Sequence, residues 1–446
     1  MRSVLLSVVC LLITGSLGCA ARQQQLQGAQ AAYFGGDLST AQTSVRKLIA
    51  DDKSDANVLQ LDEAMIQLVS GNPHGAEQIL RRIRNEFDHL QQTSVAEEAV
   101  SVATDDTRRA YAGEDYERLL IRQLLALCSL MQGGQDAHAY VLQGVELQER
   151  LLSQSGTDDA AAQPAFQRVA LGPYIRAALL EEKHQNYDDI TRSRVQVVNW
   201  QTGFRDGKID LARAKSGRHS PPGHGVLYVF TLVGRGPYKE EVAEQPTSSA
   251  LLIADRILSA TGKHTLPPTI APVKVSAVRE SDAGPTGVQV RLNGTPVGTT
   301  TTITDVGRLA VQQYDAIYPR VVARAVVRRI LKKGAVVALK EKTGADQDPL
   351  LDFALNVGGV AWEATEKADT RCWHLLPDRF QVLRIEIPAG THDITLQSQL
   401  GKYPAGTPAS QRVSIHDGRN TYLLACFPDD CLVGKILTSE SPDPGH

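Results

Sequence analysis

The sequence lacks the strong positive charge that nucleic-acid-binding proteins carry. Its 446 residues include 47 Lys and Arg against 50 Asp and Glu, and the formal net charge at pH 7 is −3. Binding to a phosphate backbone depends on a basic surface, so this balance argues against a nucleic-acid partner. Beyond the N-terminal segment, no apolar run approaches the roughly 20 residues that a membrane-spanning helix requires.

Signatures of common active sites are also missing. The chain contains no G-x-S-x-G nucleophile elbow, no H-E-x-x-H zinc motif and no EF-hand loop. We therefore expect no catalytic residue, no metal and no cofactor. Asp and Glu are plentiful but follow no distinguishing pattern, so a hydrolase that uses a pair of carboxylates stays open as an alternative.

Cysteine is scarce. Two of the six cysteines lie in the N-terminal segment, and the other four are Cys128, Cys372, Cys426 and Cys431. A zinc site usually needs two closely spaced pairs of Cys or His, and no second pair completes the one at Cys426 and Cys431. In an oxidising compartment these two residues are close enough to close a short loop, so we predict a disulfide between them. Two free thiols are the alternative.

The N-terminus has the pattern of an export signal. Arg2 precedes an apolar run over residues 4–13, which is too short to cross a bilayer, and small residues then lead into Cys19. Small residues before a cysteine resemble a lipobox, although Ser16 stands where that motif usually has Leu. We predict removal of residues 1–18 and attachment of diacylglycerol and acyl chains to Cys19. Ordinary secretion without lipid is the alternative.

The residues after Cys19 refine the predicted location. Ala20 stands where an Asp commonly retains lipoproteins in the inner membrane, so we expect the outer membrane, with the protein facing the periplasm. Residues 19–29 are rich in Gln and are predicted to form a tether. The lipid at Cys19 is then the expected contact with the membrane.

The first half of the chain has a helical pattern, and residues 30–204 are predicted to form an all-α domain. A weak internal repeat favours a tetratricopeptide-like array, because its first two copies are 71 − 36 = 35 residues apart, near the ~34-residue period of such repeats. Each copy is a glycine followed by an alanine and a larger apolar residue: Gly36–Ala41–Val45, Gly71–Ala76–Leu80 and Gly133–Ala139–Leu142. An up-and-down helical bundle is the alternative. A stacked array would offer a groove that binds peptides or proteins.

The second half changes to strand patterns. Val226–Val233 is a continuous apolar run of strand length, Asn293 and Gly294 predict a hairpin turn, and Val306–Lys333 predicts a long helix. The predicted boundaries are 205–225 for a linker or exposed loop, 226–345 for a mixed α/β domain, 346–436 for a helix plus a small β-sandwich-like part, and 437–446 for a loose tail. The predicted fold class is therefore α+β and multidomain, with an N-terminal helical-repeat array.

Three stretches of the sequence carry a family resemblance. They are Tyr111-Ala-Gly-Glu-Asp-Tyr-Glu-Arg-Leu119, Gly234-Arg-Gly-Pro-Tyr-Lys-Glu240, and Ala368-Asp-Thr-Arg-Cys-Trp-His-Leu-Leu-Pro377 with Pro388-Ala-Gly-Thr391 downstream. Together they resemble a family of poorly characterised bacterial envelope lipoproteins. The resemblance implies an envelope lipoprotein with a tetratricopeptide-like helical half and a mixed α/β half. It supplies no activity, ligand or catalytic residue.

A glycine-containing loop after the apolar strand is a candidate contact site. Gly234, Arg235, Gly236 and Pro237 suggest a phosphate-binding loop, but the third glycine of a dinucleotide fingerprint would stand at Lys239, and Pro237 lacks an amide donor. A tight turn is therefore the first interpretation. In the alternative, Arg235 and Lys239 present positive charge to an anionic group or an acidic protein surface, which makes these five residues candidate partner-binding residues.

The predicted long helix carries a basic stripe. The stripe consists of residues at every fourth position, namely Arg320, Arg324, Arg328 and Lys332. Most such stripes are solvated helix faces. The alternative is contact with anionic lipid or with a phosphate-bearing polymer of the envelope.

The function that these features favour is binding rather than catalysis. We expect an exported, lipid-anchored cell-envelope protein that acts as a scaffold or adaptor for other envelope proteins. An envelope hydrolase that acts on cell-wall polymer through the C-terminal half is the alternative. A soluble periplasmic ligand-binding protein would follow if the lipobox is not used.

Overall fold

A computed structural model describes residues 21–51, 55–97, 110–154, 168–261, 266, 270–281, 284–343 and 367–439. The predicted signal at 1–18, the lipid-attachment residue Cys19 and most of the predicted tail lie outside these residues. The predicted tail at 437–446 overlaps the last strand of the fold, which extends to Thr438.

The helices occupy mainly the first half of the chain. In order they are α1 (21–34), α2 (Leu38–Asp51), α3 (Ala56–Val69), α4 (Pro73–Glu97), α5 (Asp115–Leu130), α6 (Ala137–Gln154), α7 (Leu171–Glu182), α8 (Tyr187–Trp200), α9 (Gly207–Lys215), α10 (Ser248–Thr261) and α11 (Val306–Thr343). This order confirms the prediction of N-terminal helices followed by sheets.

The strands occupy the second half. They are β1 (His224–Arg235), β2 (Tyr238–Glu244), β3 (Val273–Arg279), β4 (Gly287–Leu292), β5 (Thr295–Thr299), β6 (Thr301–Asp305), β7 (Pro377–Pro388), β8 (Gly390–Leu400), β9 (Tyr403–Pro404), β10 (Ala409–Ile415), β11 (Asn420–Phe427) and β12 (Val433–Thr438). The predicted Asn293-Gly294 turn is confirmed, since both residues have the positive φ angles (48° and 84°) of a two-residue hairpin.

Helices α1 to α8 form two rows. From α2 onward consecutive helices pack against each other and alternate helices share a row, so α3, α5 and α7 form the inner row and α2, α4, α6 and α8 the outer row. Helix α1 belongs to the inner row, because its Tyr33 lies against Cys426 of the first sheet. In α5 every residue from Tyr116 to Leu130 is buried, whereas α2 buries only Ala41, Val45 and Leu48. A helix that is buried on all sides lies between other layers of the structure. The inner row is thus enclosed by the outer helices on one side and a sheet on the other.

Two of the three predicted repeat copies have the expected packing. Gly36 and Gly71 end helices with positive φ angles of 83° and 96°, which glycine adopts without a steric penalty. Ala41 and Ala76, five residues later in each case, are fully buried. Small residues at these points allow the paired helices to approach closely.

The third copy was assigned to the wrong residues. Gly133 has the positive φ angle, but Ala139 is exposed and Leu142 is 43% exposed. Ala137, Tyr140 and Val141 are the buried residues of this helix start, so the inward face is formed by other positions than the predicted Ala139 and Leu142. The tetratricopeptide-like character of the array stays a prediction.

Two segments predicted to be irregular are helical. Residues 21–34 are helical, so α1 includes most of the predicted tether, and it buries Ala29 and Tyr33 against the rest of the protein. The predicted linker at 205–225 contains α9, whose Asp210 is buried and paired with Arg213 at 2.6 Å. Tertiary packing explains both corrections, because each segment is short and polar by itself.

Two sheets form a sandwich in the second half. The first has the order β12-β11-β1-β7-β6, with β1 and β11 parallel and the other neighbours antiparallel, and the second has the order β10-β8-β4-β5 with β9 beside β8. Since β1 pairs with β7 and β4 pairs with β8, the predicted segments 226–345 and 346–436 share their sheets. They are therefore not separate structural parts.

The side chains of β1 alternate between the two faces of the first sheet, and this alternation explains how the layers stack. Leu227 and Val229 lie in the core between the two sheets, while Tyr228 and Phe230 point to the other face and pack against the inner helices. The order of layers is outer helices, inner helices, first sheet and second sheet. Beside this stack, α10 and α11 pack on the β2–β3 pair around their own apolar cluster. Within the described residues, none of the helices is both long and apolar enough to cross a membrane.

The burial of the inner row predicts a large difference between two leucine variants. Leu124 of α5 is fully buried, and Leu124→Ala should lower the free energy of unfolding by about 3 kcal/mol through lost apolar contact and a residual cavity. Leu142→Ala on α6, the matched control, should cost less than about 1 kcal/mol because its side chain is largely exposed. Urea denaturation followed by circular dichroism measures both. Equal losses would contradict the two-row arrangement.

Candidate functional site

The site that joins the two halves of the protein is built around an extended segment, residues 368–376, which we call the strap. It leads into β7 and lies between the inner helices and β2. Its apolar side chains are almost fully buried: Cys372, Trp373, Leu375 and Leu376. Trp373 is among the largest fully buried side chains of the protein.

Glu117 of α5 is the central acceptor of the site. Its side chain is fully buried, and its Oε1 accepts the backbone N–H of Trp373 at 2.7 Å. Its Oε2 accepts the Tyr111 hydroxyl at 2.5 Å and the backbone N–H of Glu114 at 3.0 Å, which also caps the start of the helix. Burial, together with the nearby Glu114 carboxylate, raises the pKa of Glu117 above its ordinary value, and the hydrogen bond from Tyr111 opposes this.

Asp62 of α3 holds the next part of the strap. Its side chain is buried, its Oδ1 accepts the backbone N–H of Leu375 at 3.0 Å, and its Oδ2 lies 3.0 Å from Nδ1 of His374. Burial disfavours the charged imidazole, but the Asp62 carboxylate outweighs it and raises the pKa of His374. Two carboxylates on neighbouring inner helices thus hold alternate backbone amides, those of Trp373 and Leu375, of one extended segment.

Lys239 of β2 completes the site and corrects a prediction. Its side chain is only 5% exposed, and its Nζ forms an ion pair with Glu114 at the start of α5. Burial lowers the pKa of Lys239, but the Glu114 and Glu117 carboxylates overcome this and raise it. The prediction that Lys239 presents charge to a partner is therefore wrong. The adjacent thiol of Cys372 has its pKa raised to about 12, first by burial and then by Glu117.

The other members of the predicted loop are packed as a turn. Gly234 has a φ of 76°, and Gly236 donates its N–H to Leu376 O at 2.8 Å. A Cβ at Gly236 would lie 2.4 Å from Leu376 O, so the strap needs a glycine here. Pro237 is buried. The tight-turn interpretation fits this geometry.

Arg235 is partly exposed but already bound. Its Nη2 lies 2.7 Å from Asp429 Oδ2, and its guanidinium stacks 4.3 Å from the centre of the Phe34 ring of α1. Its charge therefore links α1 to the loop after β11. The loop at 234–239 contributes to the packing of the protein against itself, and its cations are compensated internally.

The three stretches that carry the family resemblance meet in this one place. Tyr111 and Glu117 come from the first, Lys239 from the second, and Cys372 and Trp373 from the third. Sequence analysis recognised the stretches but did not predict their contact. The shared location shows that they form one structural unit.

Sequence analysis also missed Asp62. It lies within the inward apolar face of α3, between Leu61 and Ala64, and this position was the available signal. An acid inside an apolar helix face must find a partner when the helix is buried. The partner is 313 residues away in sequence, so the pattern alone does not identify it.

The basic stripe lies on α11. Arg320 and Arg324 are exposed, whereas Arg328 and Lys332 are half-buried. Arg324, Arg328 and Lys332 each have interaction partners within the protein. The apolar side of the helix packs on α10 and β3.

The predicted disulfide between Cys426 and Cys431 is not formed. Cys426 points from β11 toward the inner helices, where its Sγ lies 3.6 Å from the Tyr33 hydroxyl. Cys431 is exposed, and its Sγ lies beside Gly406 in the second sheet's loop. The two thiols are on opposite sides of the first sheet, which explains why sequence proximity was misleading.

The C-terminal half contains one acid with a strongly perturbed pKa. Burial raises the pKa of Asp378 to about 6, with Asp305 and Glu280 acting in the same direction. Its Oδ2 lies 2.8 Å from Nε of Arg379, and the backbone of Gly307 packs against the carboxylate. Among the residues that the structure describes, no group of three or more His, Cys, Asp or Glu is placed to hold a metal ion.

Comparison with protein-family models, with curated proteins and with solved structures finds no match to this chain.

Glu117 yields a stability prediction. Glu117→Gln places an amide N–H₂ group where the carboxylate accepts hydrogen bonds, and the free energy of unfolding should fall by about 2–3 kcal/mol. Glu146→Gln makes the same substitution on exposed α6, where the side chain is 76% accessible, and should change stability by less than about 0.5 kcal/mol. Chemical denaturation of both variants checks this. Equal stability of the two would show that Glu117 does not hold the strap.

His374 yields a pH prediction. Its pKa in the folded protein is raised above 6.5, so the stabilisation from the His374–Asp62 pair is fully present below pH 6.5. It is lost as pH rises through the higher folded pKa. The difference in unfolding free energy between the wild type and His374→Gln should therefore shrink from pH 6 toward pH 9. Urea denaturation across this range measures the difference, and a constant or growing difference would contradict the pairing.

Proposed function

We propose that this protein is an exported cell-envelope lipoprotein, anchored through Cys19, that binds other envelope proteins as a scaffold or adaptor and catalyses no reaction. The export signal and the lipobox-like sequence support the location. The layered helices support binding, because stacked helical pairs expose a long continuous surface. The proposal includes attachment to the outer membrane, with the protein facing the periplasm.

The surface proposed for binding is the outer row rather than an inner groove. The inner row is covered by the strap and the first sheet, and Glu117 and Asp62 already hold the strap's backbone. A partner that binds the inner face would have to displace these buried contacts. The outer helices lie on the side of the inner row that faces away from the first sheet.

Exposed apolar side chains on the outer row carry the proposal. Leu142 of α6 is 43% exposed, and Tyr187 and Val195 of α8 are 43% and 37% exposed. Both helices pack on α7, so they are neighbours in the outer row. Large apolar side chains on adjacent helices are typical of a surface that a partner covers. We define these three residues as the outer patch.

The polar groups of the strap site support a binding role in another way. Each strongly perturbed group there has a structural partner: Glu117 with Trp373, and Lys239 with Glu114. Structural ion pairs perturb pKa values as active sites do. The structural contacts between the helices and the strap therefore explain the perturbed pKa values at this site.

Site-specific crosslinking in cells tests the proposal. A photo-crosslinking amino acid at Leu142 or Val195 should capture one or two envelope proteins, identified by mass spectrometry. The matched controls are Thr395 and Gln397 on β8, which face away from the sandwich core and should capture none of these proteins. Adducts with wall polymer from β8, and none from the outer patch, would favour the envelope hydrolase instead.

A further inference from the structure

Helix α9 presents a short, positively charged face to solvent. Its exposed residues recur at intervals of three or four positions, apart from one adjacent pair, which places them on one side of the helix. They are Lys208, Ile209, Ala212 and Lys215. Ile209 is 66% exposed, and Arg205, in the turn before the helix, is exposed as well. We call these five residues the α9 face.

The opposite side of α9 is fixed to the protein. Asp210 is buried, its Oδ1 lies 2.6 Å from Nη1 of Arg213, and its Oδ2 lies 3.4 Å from Nη1 of Arg194 on α8. Ala214 belongs to an apolar cluster with residues of α7 and α8. A helix of nine residues has little stability of its own, so these contacts decide which side it shows to solvent. The α9 face is therefore held outward.

The cations of the α9 face are less compensated than those of the basic stripe. Among the described residues, Lys208 and Lys215 have no ion-pair or hydrogen-bond partner, and Arg205 forms no ion pair. Burial raises the pKa of the half-buried Asp206, and the charge of Arg205 opposes this. Three of the four stripe residues on α11, by contrast, have partners within the protein. The α9 face is thus a local excess of positive charge in a chain whose net charge is −3.

We propose that the α9 face lies against the surface of an anionic phospholipid bilayer. Lys and Arg are attracted to anionic headgroups, and their long side chains reach the headgroups while an apolar neighbour enters the interface. Ile209 is that neighbour. An acidic protein fits the face less well, because protein interfaces are depleted in Lys and depend on aromatic anchors, and the face has two Lys and no aromatic residue. The contact does not depend on a lipid at Cys19.

Fluorescence at position 212 of the full-length chain tests the proposal. An environment-sensitive fluorescent amino acid replaces Ala212, and the protein is mixed with vesicles of phosphatidylcholine alone or of phosphatidylcholine with phosphatidylglycerol. The emission should move to shorter wavelengths with the anionic vesicles only. Salt should reverse the shift, because the Debye length falls to about 3 Å at about 1 M. Equal spectra with the two kinds of vesicle would overturn the proposal.

A pair of lysine variants separates the α9 face from the net charge of the protein. Lys208→Gln with Lys215→Gln should weaken the affinity for anionic vesicles on the order of 25-fold, because each Lys near an anionic surface contributes about five-fold. Lys47→Gln with Lys402→Gln removes two exposed lysines from α2 and from the turn after β8, and should leave the affinity unchanged. Equal losses in the two double variants would contradict a specific role of the α9 face.

Polyglutamate distinguishes a membrane from an acidic protein. A fluorescence change at position 212 with polyglutamate and none with anionic vesicles would overturn the membrane contact in favour of an acidic protein partner. The matched control position is Ser414, which is exposed on β10. It should give no shift with anionic vesicles, and a shift there as large as at position 212 would show that the protein has no preferred face toward the bilayer.

Discussion

The buried carboxylate of Glu117 is the constraint on which the rest of the structure depends. Removing a charged group from solvent costs several kcal/mol of folding free energy unless hydrogen bonds satisfy the group. Its donors come from the segment before α5 and from the strap, 256 residues later in the chain. Satisfying this one side chain therefore requires the helical half and the sheet half to be in place together. Asp62 imposes the same requirement one helix away.

This constraint changes the meaning of the helical array. An array of helix pairs by itself offers its inner face to other proteins, and the sequence favoured that use. Here the inner face binds the protein's own strap and first sheet, so the array serves as one layer of a larger fold. The surface that we propose for partners is therefore the outer row, where Leu142 and Val195 are exposed. Burial of the inner row thus moves the expected binding surface to the outer row.

Local signals in the sequence predicted local structure well. Gly36, Gly71 and the Asn293-Gly294 turn were recognisable because the required positive φ angles depend on residue type alone. The strand at Val226–Val233 was recognisable from its continuous apolar run. The strap site, the helical α1 and the separation of Cys426 from Cys431 were not, because each depends on contacts between distant segments. The sequence traces of the site were the three stretches that carry the family resemblance and an acid within the apolar face of α3, and none of them revealed that the segments meet.

The strap site is connected to α1 through Asp55 of the α3 start, which pairs with Arg22 of α1 and with Arg371 of the strap. The guanidinium of Arg371 lies 5.4 Å from the centre of the Tyr111 ring, and the Tyr111 hydroxyl donates to Glu117. A path of contacts therefore runs from Arg22 of α1 to the junction of the two halves. Because that junction is buried and its polar groups are satisfied, the two halves are expected to move as one body. The outer patch, on α6 and α8, lies at the other end of the helical rows from α1.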